Sequence, residues 1–220
     1  MKLKKRIALV DDHDLFRKGM GSLLKEFEEI DISMEAVNGK DLFNQLTNLS
    51  PAKHPHVILL DIQMPEMDGI ETTMQLKKKY PGIKIIMLTM HNEEQLIYSL
   101  MEKGANGFLE KNTDIEVVVD AIYSVIEKGY YFNDYISKAM VKGVSNHKKM
   151  IRFNTVNALT DREIVVIRLI CQQKTIKEIA EELSLSPRTI DSYRENIFLK
   201  TGAKNMVGIV FYAIEHNLLE

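Results

Sequence analysis

Val57-Ile58-Leu59-Leu60-Asp61-Ile62-Gln63-Met64-Pro65-Glu66-Met67-Asp68-Gly69 is the stretch whose reading decides the fold. An unbroken apolar run ends at a carboxylate, and a loop fixed by Pro65 and Gly69 follows before the next helical pattern. A run that is apolar at every position, and not at alternate ones, suits a strand buried on both faces. Outward from it lie further short, mainly apolar runs at Ile7 to Val10, Ile32 to Val37, Ile83 to Leu88 and Gly107 to Leu109. Helical patterns separate them at Asp14 to Phe27, Lys40 to Leu46, Ile70 to Tyr80, Glu93 to Glu102 and Ile115 to Glu127, punctuated by Gly39, Pro81-Gly82 and Gly104. The alternation predicts an α/β domain, a doubly wound five-stranded parallel sheet with helices on both faces.

The chain has 220 residues, too many for most single domains and too few for three, so a second, smaller domain is expected. After Tyr130 the strand-helix alternation stops, and short helical patterns without strands resume at Thr160 to Gln172, Thr175 to Leu183, Ser186 to Lys200 and Met206 to Leu218. The expected division is a first domain at 1–130, a partly helical linker at 131–157 and a small all-α domain at 158–220. With 45% hydrophobic and 27% charged residues, disorder is excluded for the bulk of the chain. A formal charge of -2 neither announces nor excludes nucleic acid, so that question falls to local pattern. The single cysteine, Cys171, removes any disulfide framework or multi-cysteine zinc site. The N-terminal apolar run is cut short at Asp11 and no stretch reaches the roughly 18 residues of a membrane span, so a cytoplasmic protein is expected.

In a parallel α/β sheet, ligands sit beyond the carboxyl ends of the strands. The residues there are Asp11, Asp12, Asp61, Thr89 and Lys111. Three converging carboxylates repel one another unless a cation intervenes, and an all-oxygen set selects a hard ion such as Mg2+. Such a set suits phosphoryl chemistry. A carboxylate attacks phosphorus while a metal, a lysine and a hydroxyl spread the charge, and Asp61, at the end of the central strand, is the candidate nucleophile.

With these residues in order, the first domain resembles the receiver domains of bacterial two-component response regulators. The matching segments are Leu9-Val10-Asp11-Asp12-His13, Asp61 through Gly69, Met87-Leu88-Thr89 and Ala105-Asn106-Gly107-Phe108-Leu109-Glu110-Lys111. The resemblance implies a flavodoxin-like fold and phosphorylation of Asp61 by a sensor histidine kinase. It implies Mg2+ held by Asp12, Asp61 and the backbone carbonyl of Gln63, with Asp11 assisting through water. Thr89 and Lys111 would bind phosphoryl oxygens and Phe108 would be the aromatic switch coupled to Thr89. Asn112 stands where many receivers carry proline, and Met90 is bulkier than the residue often found after the switch threonine, so an altered rate is expected.

In the second domain, Thr160 and Glu163 have the spacing of a capping box. Lys177 to Leu183 forms a short amphipathic helix, Ser184-Leu185-Ser186 turns the chain and Pro187 opens the next helix, which together read as a helix-turn-helix. Leu159 to Leu218 resembles the LuxR-type helix-turn-helix, the output domain of the NarL/FixJ family. The strongest pieces are Lys177-Glu178-Ile179-Ala180, Ser186-Pro187-Arg188-Thr189-Ile190, Asn196-Ile197 and Lys200-Thr201-Gly202-Ala203. The resemblance makes Ser186 to Lys200 the recognition helix in the major groove of promoter DNA. Arg188, Thr189, Asp191, Ser192, Arg194 and Glu195 are then candidate groove-side positions, while Lys177, Lys200 and Lys204 would meet phosphates. Asp191 and Glu195 repel phosphate, so affinity should lean on a homodimer formed through the face of Val207, Val210, Ile214 and Leu218.

The expected function is a response regulator and transcription factor in which phosphorylation promotes dimerisation and DNA binding, and not an enzyme. A phosphorylation-independent DNA-binding regulator is the near alternative. A metal-dependent phosphohydrolase using Asp12 is the distant one, and it lacks a second acidic pair after Lys111. His54 and His56 read as solvent-facing, and Lys77-Lys78-Lys79 as cations meeting a helix dipole.

Overall fold

A computed structural model describes residues 4–90, 94–131, 159–216 and 218–219. The strands are β1 (Lys5–Val10), β2 (Ile30–Ala36), β3 (Val57–Asp61), β4 (Lys84–Thr89) and β5 (Gly107–Glu110). They form one parallel sheet in the order β2-β1-β3-β4-β5. Helices α1 (Asp14–Leu24), α2 (Gly39–Thr47), α3 (Gly69–Lys79), α4 (Glu94–Lys103) and α5 (Ile115–Glu127) connect them. The helical domain comprises α6 (Asp161–Cys171), α7 (Ile176–Glu182), α8 (Pro187–Thr201) and α9 (Met206–Glu215).

The runs of β1, β3 and β4 have the two-sided burial they predict, whereas the edge strand β2 mixes buried and exposed positions. In β1, Ile7 and Leu9 join the core under α1 and α5, whereas Ala8 and Val10 join the core on the other face. All five residues of β3 are buried, which makes it the central strand. The predicted end of α1 at Phe27 moves back to Leu24, because the Phe27 carbonyl accepts the Ile30 N–H and turns the chain into β2. The linker expected at 131–157 lies, apart from Tyr131, outside the described residues.

Helix starts in the second domain are set by side chains. Thr160 and Thr175 each make a reciprocal capping box, with Glu163 and Glu178, and Ser186 accepts from the Thr189 N–H with Pro187 at the first helical position. Gly202, with φ 70°, ends α8 in the left-handed region. Ser184 occupies the same region with φ 54° inside the turn between α7 and α8.

The two domains are packed together. Helix α9 lies against α4, and the apolar cluster on that face of the sheet continues without a break into Val166, Ile170, Ile197 and Val207 of the helical domain. Polar bonds pin the seam. The Asn205 amide donates to Met101 O at 3.2 Å and Ala105 O at 2.5 Å, and the Tyr130 hydroxyl donates to Ile170 O at 2.7 Å. Among the described residues no single helix is long and apolar enough to cross a membrane.

Candidate functional site

The site lies at the carboxyl end of the sheet, where β1, β3, β4 and β5 release their last residues. Asp61 is buried, its Oδ1 accepts the Ile62 N–H at 2.8 Å, and its Oδ2 lies 2.9 Å from Lys111 Nζ. The same ammonium sits 2.7 Å from Asp11 Oδ2, so one lysine bridges two buried carboxylates. Burial raises the Asp61 pKa, with the Asp11 charge adding to it and Lys111 opposing. Burial alone would lower the Lys111 pKa, but its bonds to Asp11 and Asp61 outweigh that and hold it raised.

The loop after β3 is shaped by one glycine. A Cβ on Gly69 would meet Asp61 O at 2.2 Å, and the Gly69 N–H donates to Ile62 O at 2.9 Å, so the loop folds back tightly on the strand it leaves. Asp68 then caps α3 by accepting the Glu71 N–H.

Asp11, Asp12, His13 and Asp61 offer ligand atoms that all lie within 4.8 Å of one another. The fit to a hard cation rests on the donor set. Asp11, Asp12 and Asp61 bring three carboxylates together where Lys111 pairs with only two of them, an all-oxygen set with charge left over for a cation. Gln63 is exposed in the adjoining loop, Thr89 is buried at the end of β4 with its carbonyl accepting the Lys111 N–H, and Phe108 is buried in β5. Sequence reasoning missed two supports on α1. Arg17 donates to Asp11 O at 2.7 Å and pairs with Asp14, and the Phe16 ring lies 5.0 Å beneath Lys111 Nζ. Their signal was a helix opening immediately after the acidic pair.

The helical domain presents Lys177, Arg188, Asp191, Ser192, Glu195 and Lys204 to solvent. Thr189 is half-buried, its hydroxyl bonded to Ser186. Lys200 is turned inward, 2.7 Å from the buried Glu163 carboxylate. Burial pushes the Glu163 carboxyl up, yet Lys200 and the Thr160 N–H and hydroxyl outweigh it and hold the pKa down. Arg194 pairs with Asp191 at 2.8 Å and packs beside Gly129 of the first domain, with its Nε buried and unpartnered. Val207 and Val210 of the expected dimer face are buried, and α9 ends at Glu215 instead of Leu218. His54 and His56 are not solvent-facing: Arg6 donates to His54 O and its backbone N–H to His56 Nδ1. Burial lowers the His56 pKa, aided by Arg6 and Lys5.

An acidic pocket bridged by a lysine at the carboxyl end of a parallel sheet, on a chain that continues into a helix-turn-helix, defines a receiver joined to an output domain. Residues 7–123 match the family described as response regulator receiver domain, and residues 157–213 match the bacterial regulatory proteins of the luxR family. The response regulator UvrY of Escherichia coli K12 is 33% identical over 213 residues, covering 96% of this chain and 94% of UvrY. The response regulator VraR of Staphylococcus saprophyticus is 30% identical over 215 residues, covering 98% and 99%. The crystal structure of ChrA, a response regulator of a haem-sensing two-component system, aligns over 98% of both chains with TM-score 0.51 and 28% identity. The chain belongs to the NarL/FixJ family of response regulators, which join a receiver to a LuxR-type helix-turn-helix and regulate transcription.

Proposed function

We propose that Asp61 accepts a phosphoryl group from a sensor histidine kinase in the presence of Mg2+, and that the phosphorylated chain dimerises and binds promoter DNA. The observation that carries this reading is the Lys111 ammonium within 3 Å of both Asp11 and Asp61. An Asp61 carboxylate oxygen attacks the phosphorus of a phosphohistidine; the P–N bond breaks, its electron pair stays on the imidazole nitrogen, and an acyl phosphate remains on Asp61. Lys111 stands ready to pair with the phosphoryl oxygens, and the Thr89 hydroxyl follows from the end of β4. Asp12, Asp61 and the Gln63 carbonyl would hold Mg2+, with Asp11 acting through water. The ion neutralises charge on the transferring group when bound.

The proposed domains are a receiver at 1–130, a linker at 131–157 and a DNA-binding domain at 158–220, working in the cytoplasm. Within the latter, Arg188, Thr189, Asp191, Ser192, Arg194 and Glu195 face the groove of DNA and Lys177 and Lys204 its phosphates, while Lys200 would have to leave its pair with Glu163 to reach one. Arg194 is covered by the receiver, and Val207 and Val210 are in the shared core. Activation therefore separates the domains, and phosphorylation, through Thr89 and Phe108, shifts the population toward the separated form.

Intact-protein mass after incubation with a small-molecule phosphodonor tests the chemistry. A single phosphoryl adduct that requires Mg2+ and is absent from Asp61→Ala is expected. An adduct of equal yield in Asp61→Ala overturns the assignment.

A further inference from the structure

A cleft of about 390 Å3 opens on the seam between the domains, lined by Met74, Lys77, Lys78, Pro81, Lys103 and Lys204. Four of these six side chains are lysines and none is acidic. Lys77 and Lys78 come from the last turn of α3, Lys103 from the last residue of α4, and Lys204 from the loop that leads into α9. A lysine at a helix C-terminus meets the dipole there, which accounts for each receiver lysine singly. It does not account for their convergence with Lys204, which lies in a loop of the other domain.

Lys77 lines the cleft with its stem and turns its head away from it. Its ammonium donates to Ile83 O at 3.0 Å and to Asn106 Oδ1 at 2.7 Å, both neutral acceptors, and no carboxylate pairs with it among the described residues. Burial, with Lys84 nearby, pushes its pKa down to about 7. Lys78 and Lys204 are exposed and Lys103 half-buried, and no carboxylate is among the residues lining the cleft, so an anion there would meet positive charges from both domains. Lysines are compact point charges suited to phosphate oxygens, and the three that keep their heads free of Asn106, Lys78, Lys103 and Lys204, match a ligand carrying several phosphate charges better than a single carboxylate. The exposed Met74 side chain and Pro81 leave an apolar margin for whatever else the ligand carries.

We propose that this cleft binds a small polyphosphate-bearing anion, which bridges Lys204 to the receiver lysines and clamps the two domains together. The ligand binds the docked arrangement and not the separated one, so it opposes separation by the linkage between binding and conformation.

Calorimetric titration of the full chain with sodium tripolyphosphate, in low salt without Mg2+, tests the proposal. Saturable binding at one ligand per chain is expected, weakened at least tenfold in the double variant Lys78→Ala/Lys103→Ala and at least fivefold in Lys204→Ala. A remote pair of exposed lysines, Lys25→Ala/Lys53→Ala, should change it less than twofold. Circular dichroism shows whether the variants remain folded, as expected for exposed or half-exposed lysines. A parallel titration with ATP separates the sources: tighter binding than tripolyphosphate assigns a nucleotide, and equal binding assigns the polyphosphate alone. Absence of saturable binding overturns the proposal. So does a Lys204→Ala variant that binds like the wild type, or a remote pair that loses as much as the cleft pair.

Discussion

The side-chain amide of Asn205 donates to the carbonyl oxygen of Ala105, joining residues 100 apart in sequence across the boundary between the two domains. The same residue caps α9, its Oδ1 accepting the Gly208 N–H at 2.8 Å. One side chain thus starts a helix and holds that helix to α4.

Replacing Asn205 separates these roles. Asn205→Ala should cost about 1–3 kcal/mol through the lost cap and the unsatisfied carbonyls. Asn205→Ser keeps a capping hydroxyl and loses the reach to Ala105. Urea unfolding of both variants measures the cap by their difference, and small-angle scattering should show the serine variant more extended than the wild type.

Gly69→Ala forces a methyl group into the Asp61 carbonyl, 2.2 Å away, against backbone that cannot swing aside. A loss of at least about 1–3 kcal/mol is expected, and the surviving folded protein should accept phosphoryl groups more slowly because Asp61 is displaced. Chemical denaturation and a phosphodonor time course check the two effects.

Asp12→Asn removes one of three crowded carboxylates. Relief of like-charge repulsion should leave the metal-free protein equally stable or more stable, by on the order of 1 kcal/mol. The rise in melting temperature that Mg2+ gives the wild type should disappear. Thermal scans with EDTA and with Mg2+ read both outcomes.

Lys77 makes stability rise with pH. Its pKa is about 7 in the folded chain against 10.5 as the ordinary value, so between those values the unfolded chain holds the extra proton and alkali favours folding. Below about pH 7 both forms are protonated and the contribution is flat. Lys77→Met should reduce the slope of unfolding free energy across pH 7–10 by up to about 1.4 kcal/mol per pH unit. Denaturation at several pH values, wild type against variant, isolates this from other groups.

Ser184 holds a left-handed conformation that favours glycine. Ser184→Gly should stabilise the helical domain by up to about 1 kcal/mol, visible as a higher denaturation midpoint at unchanged slope.

Strands β1, β3 and β4 were legible because burial on both faces leaves nearly unbroken apolar runs, and the carboxylates because they follow those runs directly. Element ends slipped where a turn was set by one hydrogen bond, as at Phe27. Arg17 and Phe16 escaped notice because their role depends on which way α1 faces after Asp14. The lysine run at 77–79 read as a solvated helix end, yet Lys77 turns inward to Asn106, a partner 29 residues on. The bonds of Asn205 and Tyr130 belong to the docking of one domain on another, which no periodicity records.

The shared apolar core has a consequence for how a cell could set the threshold of this switch. If activation parts the domains as proposed, apolar residues now covered by the receiver, Met206 beside Gly129 among them, would meet water in a lone opened chain. A second opened chain can cover them, so separation and pairing become one event of second order in protein. On the proposed mechanism the abundance of the regulator would then set its sensitivity: doubling the copy number would lower the stimulus needed for half-maximal output, and a scarce regulator would stay silent under a signal that trips an abundant one.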